Sequence, residues 1–220
     1  MHLLCLSDLH GDSSALAEIL QHAPPVDVVL LGGDITNFGT PNQAEQLVDQ
    51  ARRACDRVFA VAGNCDSADI DQRLRDLDVS LFGRGIVHRG VGFFGVSAMP
   101  PWTGSMYELS EEEIADALDV GHQQAREAER HVLLSHSPPR NCKLDLTRRG
   151  THVGSLAVRN LIESSRPSVV VCGHIHEARG VETIADSTTV NCGPAYRGNY
   201  ALVRMDGEID VELCNVRLPL

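Results

Sequence analysis

Five short clusters of polar residues carry the chemistry that can be read directly from this chain. They are Asp8-Leu9-His10, Gly33-Asp34, Gly63-Asn64-Cys65-Asp66, His136 and Gly173-His174-Ile175-His176. Imidazole nitrogen, carboxylate oxygen and amide oxygen all donate lone pairs to divalent transition metals. The mixture suits Mn²⁺, Fe, Co, Ni or Zn²⁺, and affinity alone does not choose among them. An H-x-H pair on an extended chain turns both imidazoles to one face, as a metal site requires. Each cluster alone is weak, because D-x-H arises by chance and Gly-Asp and Gly-Asn are ordinary turn dipeptides. The signal is their joint occurrence, each directly after a short apolar run.

Those runs are the elements that must position the ligands. Residues 2–6, 26–31, 57–62, 131–135 and 167–172 are short and rich in Val, Leu and Ile. They read as strands, the second and the last covered on both faces. Helical stretches intervene: Ser13 to Gln21 behind Asp12 or Ser13 as N-cap, Thr40-Pro41 to about Ala54, Ser67 to Leu77, and Gly154 to Ser165. Ser110-Glu111-Glu112-Glu113 has the form of a capping box and opens a helix predicted to reach about Glu129. Such β-loop-α units imply parallel strands with right-handed crossovers, whose carboxyl ends share one crevice. Glycine punctuates residues 79–98, which predicts hairpins. Beyond Gly173 the pattern turns to strands at 178–184, 188–191, 200–205 and 209–214, expected to be antiparallel. The predicted fold is one α/β domain over residues 1–220, a four-layer αββα sandwich of two mixed β-sheets flanked by helices.

The ordered series D-x-H, G-D, G-N-x-D, H and G-H-x-H, running from Asp8 to His176, resembles the calcineurin-like metallophosphoesterase superfamily. Gly63-Asn64-Cys65-Asp66 resembles in particular its small prokaryotic phosphodiesterase branch. Asn191-Cys192-Gly193-Pro194 with Arg197-Gly198 is similar to the strand and turn that close that branch's fold. The resemblance implies two divalent metal ions, with manganese the leading choice, sharing Asp34 as a bridge. Asp8, His10 and His176 would complete one site, and Asn64, His136 and His174 the other. Two such cations clamp the phosphoryl oxygens and lower the pKa of a shared water, whose hydroxide attacks phosphorus in line. Many members carry histidine after the motif Asn, to protonate the leaving group; here Cys65 stands there. A thiol with an ordinary pKa of about 8.5, pushed toward thiolate by two cations, makes a poor acid. That disfavours alkyl phosphate monoesters and leaves aryl or cyclic diesters less affected. His152, in Gly150-Thr151-His152-Val153-Gly154-Ser155, resembles a loop of the same branch that approaches the pocket. It is either the alternative acid or a solvated loop residue. Asn37, Arg140 and Arg197 are either phosphate contacts or, as the commoner role of such residues, surface groups. Trp102, after Met99-Pro100-Pro101, is either part of a pocket lid or packed on the body. His2, His22, His88, His122 and His131 lack ligand spacing and read as surface or core residues.

Composition narrows the partners. The chain has 220 residues, 19 Lys and Arg against 30 Asp and Glu, and a net charge of −11. That field opposes a nucleic-acid polymer or an anionic membrane, yet admits a small phosphate-ester substrate beside a cation cluster. A nuclease of the same superfamily is disfavoured by the short, acidic chain without a basic aromatic stripe. A degraded site used as a scaffold, as in the family's retromer subunit, is opposed by the seven retained ligands and kept open by Cys65. No apolar run approaches the roughly 20 residues of a membrane span. Met1 to Leu6 reads as a strand rather than a leader. Seven cysteines without a C-x-x-C suggest free thiols in a reducing cytoplasm. Lys143 is the single lysine, a bias shared by salt-adapted proteins and GC-rich genomes. Glycine-rich edge strands leave a homodimer open.

Overall fold

The structure is a computed structural model and describes residues 1–217. Its elements, in chain order, are β1 (His2–Leu6), α1 (Ser13–His22), β2 (Val28–Gly32), α2 (Pro41–Arg52), β3 (Val58–Val61) and α3 (Ala68–Asp76). There follow β4 (Gly85–His88), β5 (Val91–Val96), α4 (Glu111–Ala125), β6 (Arg130–Ser135), α5 (Leu156–Ser165) and β7 (Val169–Cys172). The chain closes with β8 (Gly180–Ile184), β9 (Ser187–Asn191), β10 (Asn199–Arg204) and β11 (Asp210–Asn215).

The strands form two mixed sheets, ordered β11-β10-β1-β2-β3 and β4-β5-β6-β7-β9-β8. Period-two alternation decides which residues meet. On β1, Leu3 and Cys5 face the second sheet, packing with Phe93, Val132 and Val171, while Leu4 and Leu6 face the helices, packing with Leu16, Ile19 and Leu47. A third core joins Phe94 and Leu133 to Leu118 of α4 and Val158 of α5. Helix, sheet, sheet, helix is therefore the layer order, as the alternation of β-like and helix-like runs predicted.

The helices begin where local chemistry tells them to. Asp12 and Ser67 cap α1 and α3. Complete capping boxes, Thr40 with Gln43 and Ser110 with Glu113, open α2 and α4. Two expectations need correction. Helix α4 stops at Ala125 instead of running to about Glu129, because the His131 ring lies 3.1 Å from the Ala125 carbonyl and Ala128 closes a turn onto the same oxygen. Strand β9 is parallel to β7, not antiparallel. The β8–β9 hairpin turns through Ala185 and Asp186, both at positive φ, and brings the chain back alongside β7. Only then does β10 cross to the first sheet and pair antiparallel with β1. Phe93 and Phe94, expected in the core or at a sheet edge, are both buried in β5. Among the described residues no helix is long and apolar enough to cross a membrane.

Candidate metal centre

Strands β1, β2 and β3 of one sheet and β6 and β7 of the other point their carboxyl ends at one place. The chain leaves each strand through a turn that carries the polar cluster read from the sequence. Asp8, His10, Asp34 and His174 hold φ of 57°, 47°, 47° and 66°. Left-handed backbone at a non-glycine residue costs about 1–3 kcal/mol, and it persists only where the surroundings impose it. Here they do. Asp8 N–H donates to the Gly33 carbonyl (3.0 Å), His10 N–H to the Asp34 carbonyl (2.8 Å), and Gly173 N–H to the His136 carbonyl (3.1 Å). The loops after β1 and β2 are thus laddered together, and so are those after β6 and β7. Two glycines permit the crowding: a Cβ at Gly63 would overlap Asp34 and His136, and one at Gly173 would overlap Ser7 and Asp8.

The candidate ligands meet in this crevice. Asp8, His10 and His176 bring one ligand atom each to within 4.8 Å of the others, and so do Asp8, Asp34 and His136. His176 Nε2 is 3.2 Å from Asp8 Oδ1 and 3.5 Å from His10 Nε2. Asp34 spans the two groups: its Oδ2 lies 3.7 Å from His10 Nε2 and its Oδ1 3.5 Å from His136 Nε2. His136 Nδ1 donates to the Gly32 carbonyl at 2.9 Å, which leaves Nε2 aimed at the crevice, 2.8 Å from Asn64 Oδ1. The Asn64 amide is turned that way because its Nδ2 donates to the sulfurs of Cys65 (3.3 Å) and Met106 (3.4 Å). His174 packs its ring on His136, centroids 5.0 Å apart, and its backbone N–H donates to Asp8. It joins neither triad. All seven residues read as metal ligands therefore line one crevice.

Charge shows what the crevice is suited to hold. Asp8 and Asp34 are buried and, among the described residues, are paired only with imidazoles, never with Lys or Arg. Burial lifts the Asp34 carboxyl to about 6, with the His136 charge opposing and the Asp8 charge assisting. Asp8 resists its own burial, because the His176 hydrogen bond and the His136 and His176 charges hold it well below the usual range. Burial, with His136 adding to it, drives His174 down to about 3. Burial also lowers His10, whereas His136 rises because Asp34 and Asp8 outweigh its desolvation. Two buried carboxylates close together, with imidazoles and an amide oxygen around them, are a donor set that suits divalent cations, which would remove the repulsion between Asp8 and Asp34. The residues fit such ions.

Other positions sort themselves around this centre. Cys65 N–H donates to Asp34 Oδ1 at 2.7 Å, while burial and the Asp34 charge push its thiol far up. A third triad, His10, Asp34 and Cys65, also has metal-ligand spacing. His152 lies apart from the ligand cluster, on a loop that shares a cavity with Asn64 and His174. Its Nδ1 sits 2.6 Å from Asp145 Oδ1. Arg140 lines the same cavity, Asn37 lines another beside His10, and Arg197 lies over the Tyr196 ring. Trp102 is exposed at the cavity's edge rather than packed on the body. The five histidines without ligand spacing are elsewhere in the fold.

Three contributors escaped sequence reasoning. Asp66, quoted only as part of a motif, is buried and accepts from the Ile35, Thr36 and Gly63 N–H groups and the Thr36 hydroxyl. It ties the β3 loop to the β2 loop. Tyr196 sets its ring edge-on to His10 and His176, 5.4 and 5.7 Å away. Asp145, buried in a loop without periodicity, had no signal at all.

Comparisons with known proteins show the fold and the family. An uncharacterized protein of Methanocaldococcus jannaschii, MJ1162, is 29% identical over 203 residues, covering 88% of each chain. The crystal structure of TT1561 from Thermus thermophilus superposes with a TM-score of 0.79 at 18% identity, over 98% of this chain and 99% of that one. A dimetal phosphatase from Danio rerio shares the fold with a TM-score of 0.67 at 13% identity, over 98% and 96% of the two chains. The sequence profile described as calcineurin-like phosphoesterase matches residues 1–178, from the first strand through both H-x-H histidines, and the chain belongs to that family.

Proposed function

We propose that this protein is a dinuclear-metal-dependent phosphodiesterase that hydrolyses a small phosphodiester. Membership of the calcineurin-like phosphoesterase family supports metal-dependent hydrolysis of a phosphate ester. The observation that carries the dinuclear reading is Asp34, whose two carboxylate oxygens face different imidazoles, His10 and His136. One carboxylate between two donor groups is the arrangement a bridge needs. Asp8, His10 and His176 would hold one cation and Asn64, His136 and His174 the other, with Mn²⁺ the expected metal. When bound, the two cations supply Lewis acidity toward the phosphoryl oxygens and make a water acidic enough to attack at neutral pH.

The remaining work falls to this chain's residues. Arg140 faces the cavity beside Asn64 and His174 and offers a guanidinium to the phosphate. His152 delivers the proton that the leaving oxygen needs, from Nε2. Asp145 orients it by holding Nδ1, and three backbone N–H groups, of Asn141, Cys142 and Gly154, hold Asp145 in turn. Cys65 serves through its backbone N–H on Asp34, not through its thiol.

The test is hydrolysis of bis(p-nitrophenyl) phosphate against p-nitrophenyl phosphate in metal-stripped protein, with Mn²⁺ restored and Asp34→Ala as control. We expect diester turnover that requires metal, exceeds monoester turnover and falls about a thousandfold in Asp34→Ala. His152→Ala should cost about a hundredfold on an unactivated alkyl diester and less than about tenfold on the nitrophenyl diester, whose leaving group needs no proton. Absence of turnover in folded protein that binds two metals would overturn the catalytic reading in favour of a binding role.

A further inference from the structure

The wall of the crevice beside Asn64 and His174 is not polar. A cavity of about 480 Å³ opens there between two loops, with Met99, Pro100, Pro101, Trp102 and Met106 on one side and the His152 loop on the other. A cavity of this size lies in the range of small-molecule sites. The chain is poor in aromatic residues, 4% in all, and Trp102 is its single tryptophan, yet this residue is 69% exposed. An exposed indole and thioether at one concave site mark a binding surface.

Both walls are built rather than loose. The Glu108 carboxylate accepts from the N–H groups of Trp102, Thr103 and Gly104, at 3.0 to 3.1 Å, and folds the tip of its loop onto itself. The base of that loop is tied to the candidate centre: Tyr107 N–H donates to the Asn64 carbonyl, and Met106 sulfur accepts from the Asn64 amide. Across the cavity, Thr147 N–H donates to the Thr151 carbonyl and Asp145 fixes His152 and Gly154. The flat faces of indole, proline and imidazole with polarizable methionine sulfur suit a planar π-system better than a flexible alkyl chain.

We infer that this cavity seats an aromatic or heteroaromatic group of the phosphate ester, stacked on Trp102, with the phosphate at the Asn64–His174 edge beside Arg140. This rests on the proposed phosphodiesterase reading for the identity of the ligand. It makes Trp102 a specificity-determining residue and the substrate an aryl or heteroaryl phosphodiester.

The lone tryptophan provides a test independent of turnover. The Mn²⁺-loaded protein is titrated with diphenyl phosphate and with diethyl phosphate, anions of equal charge, while Trp102 emission is followed. A saturable emission change should appear with diphenyl phosphate at a concentration about tenfold below that needed for diethyl phosphate, the effect of one stacking contact. As inhibitors of bis(p-nitrophenyl) phosphate hydrolysis the two anions should show the same ranking. Trp102→Ala should raise the inhibition constant of diphenyl phosphate about tenfold, and Trp102→Phe should restore it. Equal half-saturation by the two anions, or turnover of the ester without any emission response, overturns the inference. Discrimination by emission without turnover leaves the aromatic site standing and sinks the catalytic reading instead.

Discussion

Two sets of buried carboxylates share this fold, and they are satisfied in opposite ways. Asp66 and Asp145 each accept from three backbone N–H groups and one side chain; these bonds hold the Asp145 carboxyl below its usual range, whereas at Asp66 complete burial still outweighs them and raises it. Among the described residues, Asp8 and Asp34 each accept from one backbone N–H, of His174 and Cys65, and otherwise face chiefly the His10, His136 and His176 imidazoles. Asp71 stands between, accepting among the described residues from two hydroxyls, of Ser97 and Tyr107, both at 2.8 Å. The contrast separates scaffolding from function. A carboxylate wrapped in N–H donors holds loops together, whereas one left facing other ligand atoms needs a partner from outside the chain.

The largest effect that would sharpen this contrast is structural. Asp66→Ala leaves buried N–H groups of Ile35, Thr36 and Gly63 without acceptors. At about 1–3 kcal/mol per orphaned donor, partly relieved by relaxation, the loss should be about 4 kcal/mol in urea unfolding, with or without metal. Stability unchanged in that variant would break the contrast. Asp71 tests the intermediate case through pH. Its burial lifts the carboxyl from 3.8 to about 6, so the folded state holds the proton more tightly than the unfolded one. The stability this confers is present below about pH 4 and lost as pH rises to about 6, on the order of 3 kcal/mol. Asp71→Asn, which cannot ionise, should gain on the wild type across that window in metal-free unfolding curves. A parallel pH dependence of the two proteins would contradict it.

Metal itself probes the other set. At about a hundredfold excess over its dissociation constant, Mn²⁺ should stabilise the fold by about 2.7 kcal/mol. In a chain this long that raises Tm by about 5–10 °C. The shift should vanish in Asp34→Ala and survive in Asp71→Asn. The smallest effect is expected at Cys65. Its N–H contacts Asp34 whatever the side chain, and burial with the Asp34 charge pushes its thiol up, against any pull from bound cations. Cys65→Ser should therefore alter Mn²⁺-dependent diester turnover less than about threefold, whereas loss of a working general acid costs about a hundredfold or more. A loss of that larger size would return the thiol to the chemistry.

Much of this molecule was legible from local pattern. Apolar runs followed by ligand-type residues identify strand ends, because a strand covered on both faces has no other place for a charge. Capping chemistry at Thr40, Ser67 and Ser110 marks helix starts for equally local reasons. The end of α4 was not legible, since it depends on His131 reaching back from the next strand to Ala125. Nor was the parallel course of β9, which depends on which sheet has a free edge.

By itself the sequence determined which residues could ligate a cation, in what order they leave the strands, and hence the family. Only the tertiary structure decided that Asp34 faces two imidazoles at once, that four of the candidate ligands sit on left-handed backbone, and that Asp145 stands behind His152. It also decided that an exposed tryptophan borders the centre. The physical reason is range. Ligand type and strand periodicity act within a few residues, whereas contacts such as Asp8 with His176 join positions 168 residues apart and exist only when two sheets stack.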